Sequence, residues 1–145
     1  MTAYKHLLVA VDLTEESAHV LEQASLIAKA FGAHMSLIHV LEPLSFAYGG
    51  DIPMDLTQLQ EQLAEEATKQ LSKLAASHEI ATTQQYVLLG HTQTEVHRIA
   101  EEHQVDLIVS GSHGRHGLAL LLGSTSNAIF HGANCDVLAV RVGKA

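Results

Sequence analysis

The feature that most constrains the fold is a five-residue apolar run, Leu7-Leu8-Val9-Ala10-Val11, cut off by Asp12. Consecutive apolar residues put hydrophobic side chains on both sides of an extended strand, so such a strand must be covered on both faces. Similar segments recur at Met35–Leu41, Gln84–Leu89 (stopped by Gly90), Asp106–Ser110 (running into Gly111) and Asp136–Val142. Between them the spacing turns helical. Val20, Ala24, Ala28 and Phe31 fall on one face and Gly32 closes the segment; Thr14 is placed to cap it, with Glu15 and Glu16 in the first turn. Leu56, Leu59, Leu63, Ala67, Leu71 and Leu74 mark a long helix, with Glu61, Glu65, Lys69 and Lys73 as solvated charge. A short helix starting at Thr92 or Thr94 carries Val96, Ile99 and Ala100, and another is expected near Thr125–His131. Strand and helix alternate and the chain closes on a strand. That order implies an α/β class fold: an open, doubly wound, five-stranded parallel sheet with helices on both faces. The strand order expected for it is 3-2-1-4-5. A chain of 145 residues fits one such domain, 1–145.

Charge and cysteine content narrow the function classes. Eight Lys and Arg against 16 Asp and Glu give a net charge of -8, which argues against nucleic-acid binding, since that needs a basic surface. The single cysteine, Cys135, cannot form an intramolecular disulfide and suits a reducing compartment. It has no sequence neighbour that would activate it. Leu7–Val11 is too short for a signal core, and Leu118–Leu122, between Gly117 and Gly123, is too short to span a bilayer. A soluble, cytoplasmic protein with no membrane contact is the expectation. There are eleven histidines, but no cysteine or carboxylate completes a zinc set around His113 and His116, or around His91 and His97, so no metal site is expected. His39 is expected to pack in or beside the sheet. No catalytic residue is assigned: there is no G-x-S-x-G elbow, no G-x-x-x-x-G-K-[ST] loop and no H-E-x-x-H.

The stretch that carries chemistry is Gly111-Ser112-His113-Gly114-Arg115-His116-Gly117, followed by Gly123-Ser124-Thr125-Ser126. It leaves a buried strand and opens a helix. Glycine lets backbone amides converge on phosphate oxygens, and the hydroxyls and the Arg115 guanidinium add donors. The same glycines also suit tight turns alone.

Four segments, Ala10-Val11-Asp12-Leu13-Thr14-Glu15-Glu16-Ser17, Ser36–Val40, Asp106–Gly114 and Cys135–Val140, together resemble the universal stress protein (UspA) family. The family's ATP-binding branch carries the pattern G-x2-G-x9-G-[ST]. Gly111, Gly114 and Gly123-Ser124 fit it, except that residues 115–122 supply eight intervening positions, a loop one residue short. The resemblance implies an ATP- or ADP-binding regulatory dimer, with Mg²⁺, acting in the stress response. It places Val11, Asp12 and Val40 on the adenosine portion, and Ser110, Gly111, Ser112, Gly114, Arg115, Gly123, Ser124, Thr125 and Ser126 around the phosphates. Asp12 can equally serve the start of the first helix. A nucleotide-free interaction protein and a weak nucleotide hydrolase of the same fold are the alternatives.

Two further expectations concern surfaces. Glu42–Asp55 holds Pro43, Pro53, Gly49-Gly50, Phe46 and Tyr48 and is expected to form a mobile flap beside the adenine. The last strand, Val137-Leu138-Ala139-Val140 with Arg141, would lie at a sheet edge without the usual guards. It is therefore expected to pair with a second copy as a homodimer.

Overall fold

The computed structural model describes residues 3–43, 54–112 and 129–142. Five strands alternate with helices: β1 (His6–Ala10), α1 (Ser17–Phe31), β2 (His34–Leu41), α2 (Met54–Ala76), β3 (Gln85–Leu89), α3 (Thr92–Glu102), β4 (Leu107–Gly111) and β5 (Asp136–Val140). Every pairing is parallel and the sheet order is β3-β2-β1-β4-β5, the expected 3-2-1-4-5 order.

The apolar run explains why β1 is central. All five of its residues are buried, and they serve opposite faces in turn. Leu7, Val9 and Val11 pack with Val20, Leu21, Ala24 and Ala28 of α1 and Leu71 and Ala75 of α2. Leu8 and Ala10 pack with Val96, Ile99 and Ala100 of α3 and with Ile129. Helices therefore cover both faces, as parallel strands require.

Several boundaries differ from expectation for physical reasons. Thr14 does not cap α1. The helix begins at Ser17, and Glu16 occupies the cap position without a side-chain bond, so Glu15 and Glu16 precede the first turn. Phe31, expected on the buried face, is exposed, though its ring meets Tyr4 edge-on at 5.2 Å. Gly32 does end α1: its φ is +67°, and the next amide, Ala33, donates to the Ala28 carbonyl (2.8 Å). The long helix starts at Met54, so its first two residues lie inside the segment expected to be loop. Its stripe buries only toward the C-terminal half. Ala67, Leu71 and Ala75 are buried while Leu59 and Leu63 are exposed. β5 stops at Val140 rather than Val142: the Ser112 amide makes the last regular bond, to the Val140 carbonyl (2.7 Å), and the Val142 amide then donates to the Ser112 hydroxyl (3.2 Å) where a ladder would use the Ser112 carbonyl.

The remainder of the expected flap, at 44–53, and most of the Gly-rich loop, at 113–128, lie outside the described residues. Ile129 and Phe130, within the helix expected near Thr125–His131, are helical. Residues 129–131 are tied to α3, where His97 Nε2–H donates to the Ile129 carbonyl (2.8 Å) and the Gln93 side-chain amide donates to the His131 carbonyl (3.1 Å).

Candidate functional site

In a doubly wound sheet the crevice lies beyond the C-terminal ends of the strands, where the winding direction reverses. Here the reversal falls at β1, flanked by β2 on one side and β4 on the other. The residue that leaves β1 at this point is Asp12.

Asp12 is half-buried and organises the turn around itself. Its Oδ1 accepts from the Thr14 amide (3.0 Å), the Thr14 hydroxyl (2.7 Å) and the buried Ser17 hydroxyl (3.1 Å). Asp12 thus holds the chain between β1 and α1, the structural role open to it from the sequence. Its other oxygen, Oδ2, makes no bond among the described residues. Between Asp12 and Thr14, Leu13 adopts φ +60°, uncommon for a side chain of its size. Its contact with the first core cluster and the three bonds to Asp12 Oδ1 together hold it there.

Two hollows meet at Asp12. One lies between β1 and β4 and is lined by Val11, Asp12, Ser17, Ser110, Gly111 and Val142. The other lies between β1 and β2 and is lined by Val11, Asp12, His39, Val40, Thr92 and Val96. The fold therefore brings together Val11, Asp12, Val40, Ser110 and Gly111 from three strand ends, with Ser112 one residue beyond. Gly114, Arg115, Gly123, Ser124, Thr125 and Ser126 lie outside the described residues.

Packing does not demand glycine at 111: a Cβ there would meet methyl groups of Val142 and Val20 at 3.4 Å, ordinary van der Waals contact. Ser112 spends its hydroxyl on the end of β5. His39 does more than pack: its ring Nδ1 bonds the Val11 carbonyl at 2.8 Å. Sequence reading put His39 at the sheet but gave it no partner. The one available signal was a polar residue interrupting an apolar strand just before its end.

Cys135 is half-buried, and burial, then the Asp136 and Asp106 carboxylates, pushes its thiol pKa up. Little thiolate is present at neutral pH, which leaves it a poor nucleophile. Among the described residues no three His, Cys, Asp or Glu side chains converge as metal ligands, and no helix is long and apolar enough to cross a membrane.

The family model for universal stress proteins matches residues 3–141. The chain belongs to the universal stress protein family. It is 42% identical over 139 residues to universal stress protein A homolog 1 of Coxiella burnetii, covering 94% of this chain and 96% of that one. Its fold is shared with UspA from Lactobacillus plantarum, at a TM-score of 0.74 and 22% identity, covering 97% of this chain and 100% of the other. A universal stress protein solved in complex with cAMP superposes with a TM-score of 0.60 and 22% identity, covering 97% and 98% of the two chains. At those identities the solved structures speak for the fold of this universal stress protein.

Proposed function

We propose that this universal stress protein binds an adenine nucleotide, ATP or ADP with Mg²⁺, in the crevice at Asp12, and works as a regulatory homodimer. The observation that carries the reading is the meeting of two hollows at a carboxylate on the switch point of the sheet. The β1–β2 hollow offers an apolar wall of Val11, Val40 and Val96 to a flat base. Asp12 Oδ2 has the chemistry for a ribose hydroxyl or for a water on Mg²⁺. The β1–β4 hollow opens beside Gly111, where the Gly111–Ser126 segment begins, with Arg115 and the hydroxyls of Ser124, Thr125 and Ser126 as phosphate partners. The cAMP complex of a fold relative is consistent with an adenine nucleotide in this architecture. Bound nucleotide would act by favouring one conformation of the protein, as any ligand does that binds one state better than another.

The test is direct. Purified protein is denatured and the supernatant analysed by mass spectrometry, and ligand-free protein is titrated with ATP and ADP in Mg²⁺ by calorimetry. Released adenine nucleotide, or saturable heat with a rise in Tm, is the expected result. No heat and no thermal shift at millimolar nucleotide refutes the reading.

A further inference from the structure

In a parallel ladder, the N–H and C=O of one residue point to the same side of the strand, and successive residues alternate. Two bonds fix this alternation at the end of β2. The Val11 amide donates to the Ile38 carbonyl (3.0 Å), so Ile38 faces β1. The Gly90 amide donates to the Leu41 carbonyl (2.9 Å), so Leu41 faces β3. Val40, between them in phase with Ile38, directs its backbone toward β1.

The register Ala10↔Ile38 continues to Val11 opposite His39. One more rung would therefore bring the Val40 amide onto the Val11 carbonyl. That rung is not made. The Val11 carbonyl receives the His39 ring instead, at 2.8 Å from Nδ1. A carbonyl can only accept, so Nδ1 carries the proton. The side chain of one strand residue has taken the place of the next residue's backbone, and the hollow opens there, lined by Val11, His39 and Val40.

We propose that His39 is a positioning residue for ligand recognition: by holding the Val11 carbonyl it ends the β1–β2 ladder and leaves the polar backbone edge of Val40 facing the crevice. An N–H and a C=O side by side on Val40 match the donor–acceptor edge of a planar base. The ligand contact on Val40 rests on the nucleotide reading above. The ladder displacement does not, because it concerns the chain alone.

Three substitutions separate position from polarity. His39→Asn places an amide N–H where Nδ1–H stands. His39→Gln places one farther out, near Nε2, and His39→Leu has no donor. Two quantities are measured in each: ADP affinity by calorimetry, and the exchange rate of the Val40 amide by NMR without ligand. In His39→Gln and His39→Leu the vacated Val11 carbonyl captures the Val40 amide. Its exchange slows, and ADP binds at least about tenfold more weakly, the scale of one hydrogen bond lost from a ligand edge. His39→Asn stays within about threefold of the unmodified protein, with Val40 exchange unchanged. Unchanged Val40 exchange in both His39→Gln and His39→Leu overturns the proposal, as does a His39→Asn variant that behaves like His39→Leu. Should the unmodified protein bind no nucleotide, the reading of the site fails, and the Val40 exchange rates alone still decide the role of His39.

Discussion

Asp12 gives the sharpest separation of a structural from a ligand role. Asp12→Ala removes all three bonds to Oδ1, one of them from the buried Ser17 hydroxyl. A hydrogen bond to a charged group is worth about 1.5–3 kcal/mol net. The three share one oxygen of a half-exposed carboxylate, so they do not add, and solvent screens the charge. A loss of about 2 kcal/mol is expected, or roughly 6 °C in Tm for a chain of this size. Asp12→Asn keeps an sp² oxygen for the same three donors but loses the charge. Neutral bonds are about half as strong, which sets its loss near 1 kcal/mol and about 3 °C. Thermal unfolding by circular dichroism at pH 7.5 reads both. If Mg²⁺–nucleotide depends on the carboxylate, calorimetry finds both variants weakened, including the one whose turn is intact. Equal Tm losses in the two variants would mean that charge, not acceptor geometry, holds the turn. An unchanged Tm in Asp12→Ala would remove the three-bond account altogether.

Two further outcomes follow from the same structure. His6 is buried, with Nδ1 on the His103 carbonyl (3.0 Å), Nε2 on Ser36 Oγ (2.7 Å) and its ring stacked on His34 at 4.0 Å. Burial lowers its pKa below 6.5, His34 and the His103 ring also lower it, and the His103 carbonyl and Asp106 oppose them. The unfolded chain therefore takes up a proton first, so stability falls as pH drops below about 6.5 toward the folded value; His6→Gln flattens the urea midpoint between pH 7.5 and 5.5, and an equal slope in both proteins would count against the assignment. The proposed dimer is tested at Ala139: Val140 bonds toward β4 through the Ser112 amide, so the alternating Ala139 amide faces the open edge of β5, where Leu138 is exposed. Ala139→Pro thus keeps the β4–β5 ladder and yields monomer by light scattering, whereas a proline variant that stays dimeric would place the interface elsewhere.

The doubly wound class was legible because the central strand is apolar on both faces, as a strand covered on both sides must be, and because strand and helix alternate; alternation alone does not choose among the doubly wound strand orders. Helix ends were legible only where chemistry marks them. Gly32 announced its positive φ, but Glu79 and Gln104, just beyond α2 and α3, reach φ +57° and +56° with ordinary side chains, and no residue type flags that. Thr14 looked like a helix cap because it is a hydroxyl residue before an apolar period. The carboxylate of Asp12, two residues earlier, took both its amide and its hydroxyl, and the helix could start only at Ser17. The same limit applies to the site. Asp12, Val40 and Gly111 stand at strand ends, so topology alone brings them together. What His39 does depends on which of two donors reaches one carbonyl, and no periodicity records that choice. The reversal of winding at β1 opens the crevice, and the β1–β2 ladder stops at its mouth. Where it stops is decided by a side chain that sequence patterns score only as an interruption.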